Sequence, residues 1–495
     1  MPILPDFDAA TFVPGAAIDN PYLPYIPGTI QSYAGSVTDD ETGETESENN
    51  DVFVTFENKI IDGVTTTVVR DTAYDNGVLV EDTLDWYAQD DEGNVWYLGE
   101  LAINYEYDDD GNYVETNTDG SWEHAVDGAL AGWVMQAEPG FGAGYYQEFY
   151  EGEAIDEGIV VGVGEEVSGP AGDFEGVLKT LDTTALEPDV AEFKYYAEGV
   201  GQIRADEGLD EEGEPELIIE LQSTREVERD DDDDEDDVAD GDDDGDDETE
   251  FALGDLNEGE PLDNAEDADD PGEEEFDGDG GEMFVTFLNE DAGYNNSIGA
   301  FVFDTDTGEI GEGRMLFTDT DGAEAGDSVS ICVDEGEALG VFIVADGANL
   351  GINLEEFESG GLFFGNFLTG DTATINDGLA PLVMNADGDA LPIQALNAIG
   401  NDDGFNFLNP AAGVQAVELE SEMLDDDGDD DDDGDDDGDI TLLGFEDLQV
   451  TNQWFDGDYN DVVVAVGDVA LETQQVNELL VELGVAASGA DIWMG

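Results

Sequence analysis

The sequence predicts an all-β protein in two folded blocks, and three observations predict it. Short apolar segments alternate with period two, Asp-Gly and Asn-Gly dipeptides separate them, and helical periodicity is confined to one stretch near the C-terminus. At roughly 100–200 residues per domain, 495 residues suffice for two or more separate cores. The expected order is an antiparallel meander or partly closed barrel over residues 20–222, a disordered acidic linker over 223–281, a β-sandwich over 282–468, and a terminal helix and tail over 469–495.

In the first block Val52, Val54 and Phe56 share one face of a strand, and Val64 to Val69 returns after Asp62-Gly63. Asn76-Gly77 leads into Val78 to Tyr87, and Glu92-Gly93-Asn94 leads into Val95 to Tyr107. Such dipeptides suit type I′ hairpins, whose two central residues need positive φ. Strands joined by hairpins make an antiparallel meander, which Val177 to Asp182, Ala191 to Ala197 and Gly201 to Ala205 are expected to close. A core filled with side chains is expected inside, with a mouth for an apolar ligand as the alternative. The segments NPYLPYIPGT at Asn20–Thr29, the run Val68–Glu100 and FKYYAEGVGQI at Phe193–Ile203 resemble a family of exported β-meander domains of unassigned activity.

Glu226 to Glu250 holds 18 acids, and like charges in a run repel and stay extended. In the second block Met283 to Leu288, Ile298 to Phe303, Ser328 to Val333 and Leu339 to Val344 read as strands between glycine-rich turns, which makes a sandwich the economical architecture. Asp425 to Asp439 adds 12 acids between strand-like segments, so it reads as a loop inserted inside the fold, cheap in closure entropy. Val476, Leu479, Leu480 and Leu483 then mark one face of a short helix, with Thr473 as its N-cap and Gly484 as its stop.

Charge excludes whole classes of partner. Asp and Glu number 132 against 8 Lys and Arg, and only 30 of the acids lie in the two runs, so the folded blocks are acidic in their own right. Phosphate backbones and anionic membrane surfaces both require basic patches, so neither nucleic acid nor a lipid surface is a partner. No apolar stretch approaches 18 residues, so no membrane span is expected. Met1 to Asn20 carries Asp6 and Asp8 and has no apolar core of a signal peptide. Cations are the partners that remain.

The cluster that carries chemistry is Gly444-Phe445-Glu446-Asp447-Leu448 followed by Asp456-Gly457-Asp458-Tyr459-Asn460-Asp461. Calcium takes six to eight hard oxygen ligands, and Asp456, Asp458 and Asn460 offer oxygens at alternate positions around a glycine bend. Asp461 precedes the apolar strand Val462 to Val466, while Glu446 and Asp447 end a preceding strand and face the loop as opposing ligands. Asp304 and Asp306, in a D-x-D-x-G turn, form a secondary metal candidate that equally describes an ordinary hairpin.

These residues resemble the domain-of-unknown-function family numbered 4114, whose hallmark is FEDL, a spacer, then D-x-D-Y-N-D before a hydrophobic strand. Asn296-Ser297-Ile298-Gly299, Ala338 to Gly347 and Leu408-Asn409-Pro410 extend the resemblance across the block. It implies a secreted or cell-surface protein in which Ca2+ stabilises the sandwich. Separately, the absent N-terminal signal and the tail Val485 to Gly495 fit an uncleaved C-terminal export signal read by a one-step (type I) machine, with a helix that packs on the sandwich as the alternative. Calcium-dependent binding of extracellular polysaccharide or matrix is the alternative. His124 is the only histidine and Cys332 the only cysteine, the latter expected to be buried in a strand, so zinc and thiol chemistry are not expected. A carboxylate pair acting on polysaccharide is the remaining enzyme reading, and a non-enzymatic protein is the expectation.

Overall fold

The computed structural model describes residues 2–38, 45–108, 111–142, 144–188, 190–210, 212–227, 251–253, 256, 261–262, 281–399, 401–402, 405–421, 424, 440–449, 455 and 457–484. The chain divides into two compact units, residues 1–108 with 114–233 and residues 109–113 with 234–495.

The first unit is a closed antiparallel barrel of 12 strands. They are β1 (Thr29–Thr38), β2 (Thr45–Ile61), β3 (Val64–Asp75), β4 (Val78–Gln89), β5 (Val95–Tyr107), β6 (Leu130–Met135), β7 (Gly144–Tyr150), β8 (Ala154–Gly169), β9 (Gly172–Thr184), β10 (Ala191–Ala197), β11 (Gly201–Glu207) and β12 (Leu217–Glu226). Sequential hairpins build most of it, and two pairings finish it. Strand β12 joins β1, and β6 returns to β5 with Gly132 opposite Tyr97. Closure is complete where the sequence predicts a partly closed sheet, and it leaves no long exposed edge. Asp62 and Gly63 both have positive φ, as do Asn76 and Gly77, so both predicted hairpin turns form.

One end of the barrel is capped by the Asn20–Thr29 motif. Ile18–Asn20 pairs with Leu23–Tyr25, and Ile18 and Leu23 pack among Val54, Val69, Tyr87 and Val160. Asn20 Nδ2 donates to the carbonyls of Gly93 (2.9 Å) and Gln136 (3.2 Å), and Gly199 N donates to Pro21 O (2.7 Å). The interior beyond that cap is neither filled nor apolar. It holds a cavity of about 390 Å³ walled by tyrosines and carboxylates. The alternation of β4 places Glu81, Thr83, Asp85 and Tyr87 on that inner face.

The second unit is a sandwich. Its larger sheet orders β16 (Ser328–Val333), β13 (Gly281–Glu290), β21 (Val462–Gly467), β20 (Ile440–Phe445) and β19 (Ala416–Leu419). Its smaller sheet orders β15 (Arg314–Phe317), β14 (Ser297–Asp304), β17 (Glu337–Val344) and β18 (Ala395–Asn397). Val285, Phe287, Leu443, Val464 and Val466 from the first pack against Ile298, Ala300, Val341 and Ile343 from the second. Strand β21 is buried on both faces, which is why it is an unbroken apolar run. Its other face carries Val463 and Ala465, covered by helix α1 (Thr473–Glu482) through Val476, Leu479 and Leu480. The helix packs on the sandwich, and its N-cap is Glu472 in a capping box with Gln475, one residue before the predicted Thr473.

Two further expectations are corrected. Within the linker over 223–281, β12 runs to Glu226, and Phe251, Leu253 and Leu256 are buried in the sandwich unit's outer core. Leu253 N donates to Glu420 O and Glu420 N to Phe251 O, both at 2.7 Å, because these apolar residues cover a face that acids cannot. Cys332 is exposed, since β16 is an edge strand whose inward positions are Val329, Ile331 and Val333. His124 is buried and satisfied, its Nδ1 accepting from Ala131 N (2.9 Å). The 425–439 insertion and the 485–495 tail lie outside the described residues; the flanking strands β19 and β20 pair directly, Leu419 opposite Leu442.

Burial pushes Asp71, Glu100 and Glu207 up to about 7 and carries Asp85 and Glu148 well above the carboxylate range. Each therefore holds its proton more tightly in the folded chain than in the unfolded one, where carboxyls titrate near ~4. The stability this provides is complete below about pH 4 and is lost as pH rises through about 7 for Asp71, Glu100 and Glu207, and at higher pH still for Asp85 and Glu148. Unfolding followed by tryptophan fluorescence, to which the barrel contributes four of the chain's six tryptophans (Trp86, Trp96, Trp122 and Trp133), should show a barrel midpoint that falls between about pH 5 and 9 at constant salt. Glu100→Gln should flatten that slope; an identical slope in the variant contradicts the assignment.

Candidate metal centre

Strand β20 ends at Phe445 and β21 begins at Val462, side by side with Phe445 opposite Val462. The residues just beyond β20 and just before β21 must therefore meet at one end of the sheet. Glu446 is fully buried, Asp447, Asp458 and Asn460 are buried, and Asp461 is half-buried. Of the six primary ligands expected from sequence, these five lie together; Asp456 lies outside the described residues.

Backbone N–H groups steer the acids. Asp447 N donates to Asp461 Oδ2 (2.8 Å), Tyr459 N to Glu446 Oε1 (2.8 Å) and Asn460 N to Asp458 Oδ1 (3.3 Å). The loop reaches this position through two backbone devices. Tyr459 adopts a left-handed φ of 52°, and its carbonyl comes so close to Gly444 that a Cβ there would lie 2.4 Å from the oxygen. The Tyr459 ring anchors the loop, its hydroxyl donating to Val414 O (3.2 Å).

Sequence reasoning missed Asn296. It is fully buried, donates through Nδ2 to Asp447 Oδ2 (2.8 Å) and accepts at Oδ1 from Asp346 N (3.0 Å). Asn296, Asp346 and Asp447 come from three separate segments of the motif resemblance, and one amide ties them together. The signal was present in Asn296-Ser297-Ile298-Gly299, but nothing in its spacing shows that the chain brings it to Asp447.

The electrostatics are one-sided. Burial first, then the charges of Asp447, Glu446 and Asp458, push the Asp461 carboxyl up to about 9. Asn460 Oδ1 is buried with no hydrogen-bond partner among the described residues. Arg314 is the only Lys or Arg between residues 234 and 495, and its guanidinium is engaged by Glu358 (3.0 Å). By kind, buried carboxylates with an unpartnered amide oxygen suit a hard divalent cation. By number they fall short of a full shell: among the described residues no three acidic, histidine or cysteine side chains stand close enough to hold a metal as they are. The Asp304 and Asp306 pair is placed differently. Both are exposed, and Asp304 Oδ1 accepts from Thr307 N and Oγ1, each at 2.8 Å, as in an ordinary Asx turn.

No family model matches this chain, and no curated protein matches it. Among solved structures, a candidate lipoprotein from Parabacteroides distasonis aligns at 12% identity and a TM-score of 0.22, over 42% of this chain and 100% of the other. Likeness at that level carries neither fold nor function across. The resemblance to family 4114 therefore rests on the motif residues alone.

Gly444→Ala should force the Tyr459 carbonyl away from the strand and destabilise the sandwich unit by about 1–3 kcal/mol, the usual cost of overpacking. Calorimetric melting checks it; a variant as stable as the parent would show that the loop does not depend on this approach.

Proposed function

We propose that this chain is a secreted or surface-exposed, non-enzymatic calcium-binding protein in which Ca2+ holds the end of the C-terminal sandwich together. The observation that carries the reading is the cluster of buried Glu446, Asp447 and Asp458 with half-buried Asp461, in a unit whose one basic residue is engaged elsewhere. Burying like charges without a counter-ion costs several kcal/mol per ion, and a divalent cation offsets that cost at a single point. Asp458, Asn460 and Asp461 would supply ligands from the loop, and Glu446 and Asp447 from the strand end. Asn296 would hold the Asp447 carboxylate in place without touching the ion. No reaction step is assigned to this centre; its work is cross-linking two chain segments.

The surface supports an extracellular setting. At 0.15 M salt charges interact over about 8 Å, and at 1 M over about 3 Å, so a chain this acidic repels itself least in salty, calcium-containing surroundings.

A ligand bound only by the folded state stabilises it by about 2.7 kcal/mol at 100 times its Kd. Calcium should therefore raise the calorimetric transition of the sandwich unit more than sodium or magnesium at equal ionic strength. Asp458→Ala with Asp461→Ala should erase the difference between calcium and sodium. If the difference survives in that double variant, calcium acts elsewhere and this centre is not its site.

A further inference from the structure

The barrel interior carries a separate feature that the calcium reading leaves unused. Its cavity of about 390 Å³ falls within the ~300–1,000 Å³ of small-molecule sites. Asp71 on β3, Asp85 on β4, Glu100 on β5 and Glu148 on β7 line one continuous arc of the wall. Lys194 is the only basic residue in the lining, and its Nζ is engaged by Glu192 Oε1 (2.9 Å) and lies 3.8 Å from Asp182 Oδ2.

The arc is polar beyond what the protein itself satisfies. Tyr97 Oη lies 2.5 Å from Asp85 Oδ1 and 2.8 Å from Glu100 Oε2, and one hydroxyl proton cannot serve both acids. Glu148 is 6% exposed, and its Oε2 accepts no hydrogen bond. The nearby Trp122 indole eases that charge slightly, yet its Nε1 is also without a partner. A buried carboxylate oxygen without a hydrogen-bond partner calls for a donor, and Glu148 stands on the cavity wall. Tyr25, Tyr33, Tyr87 and Tyr196 supply aromatic surface around the same space.

We propose that the barrel interior binds a small organic cation, a primary diamine or polyamine. Each ammonium has three N–H donors and no acceptor, which matches acids that lack donors. The methylene stem between ammonium groups packs on tyrosine rings, whose faces also attract cations. A bare metal ion would fill only a small part of the volume, since even a water molecule takes about 30 Å³. A neutral polyol would supply donors but leave the carboxylates without positive charge. Burial first, and then neighbouring acids, raise the pKa of Asp85 and Glu148, and a bound cation would favour their ionised forms.

Isothermal titration of the full chain with spermidine and with 1,5-diaminopentane tests this, using 1,5-pentanediol as the neutral probe. Titrating in ~1 M NaCl screens the general attraction of cations to an acidic surface down to about 3 Å. Saturable binding of one diamine per chain is expected, with the diol at least about tenfold weaker. Glu148→Gln and Glu100→Gln should each weaken the diamine about tenfold or more, the scale of a lost hydrogen bond to a charged group. Glu115→Gln, at an exposed position outside the cavity lining, should leave it unchanged. Ala205→Phe, which fills the cavity while keeping every acid, should abolish binding, with near-UV circular dichroism confirming that the barrel is intact. Absence of saturable binding, equal binding by the Glu148→Gln variant, or a diol that binds as tightly as the diamine would each overturn the proposal.

Discussion

The constraint on which the rest depends is the scarcity of positive charge. With 132 acids and 8 bases, most buried carboxylates cannot be paired within the chain. The bases that exist are spent mainly in the barrel. Arg70 forms a two-pronged contact with Asp82 at 2.9 and 2.7 Å, Arg204 meets Asp206 at 2.5 Å, and Lys59 meets Glu123 at 2.9 Å. Lys179 lies over the rings of Phe193 and Tyr195, where its stem covers apolar surface. The sandwich unit has Arg314 alone, on its surface. Its buried acids are therefore positioned by backbone N–H groups and amides, which orient a carboxylate without neutralising it.

That difference separates the two interiors. In the barrel, acids line a cavity and share protons, hydrogen bonds and a single lysine. In the sandwich, acids are gathered where two neighbouring strands end. The sandwich core is independent of charge: aromatic rings such as Phe301, Phe342 and Phe364 pack within 5.2–6.1 Å of one another. Strand β21 links the core to the acidic cluster, since its apolar run fixes Val462 and so fixes where Asp461 emerges.

Much of this was legible beforehand. Asp62-Gly63 and Asn76-Gly77 announced hairpins because positive φ at both positions leaves few alternatives. The run Val462 to Val466 announced a strand, and Val476, Leu479 and Leu480 announced the apolar face of the helix; that this face covers the strand came from the structure. Glu446, Asp447, Asp458, Asn460 and Asp461 stood out because oxygen donors ended one strand and preceded another; that the two strands pair came from the structure. Phe251 to Leu256 was hidden by its surroundings, a short apolar segment among acids whose composition reads as disorder.

Local chemistry alone settled most strands and their turns, because backbone φ and side-chain patterning act over a few residues. Closure of the barrel, the inward aim of Asp85 and Glu100, and the meeting of Asn296 with Asp447 were decided only by the tertiary structure. Those outcomes depend on pairings between residues far apart in the chain, such as the 151 positions that separate Asn296 from Asp447. No spacing rule reaches that far; the register of whole sheets does.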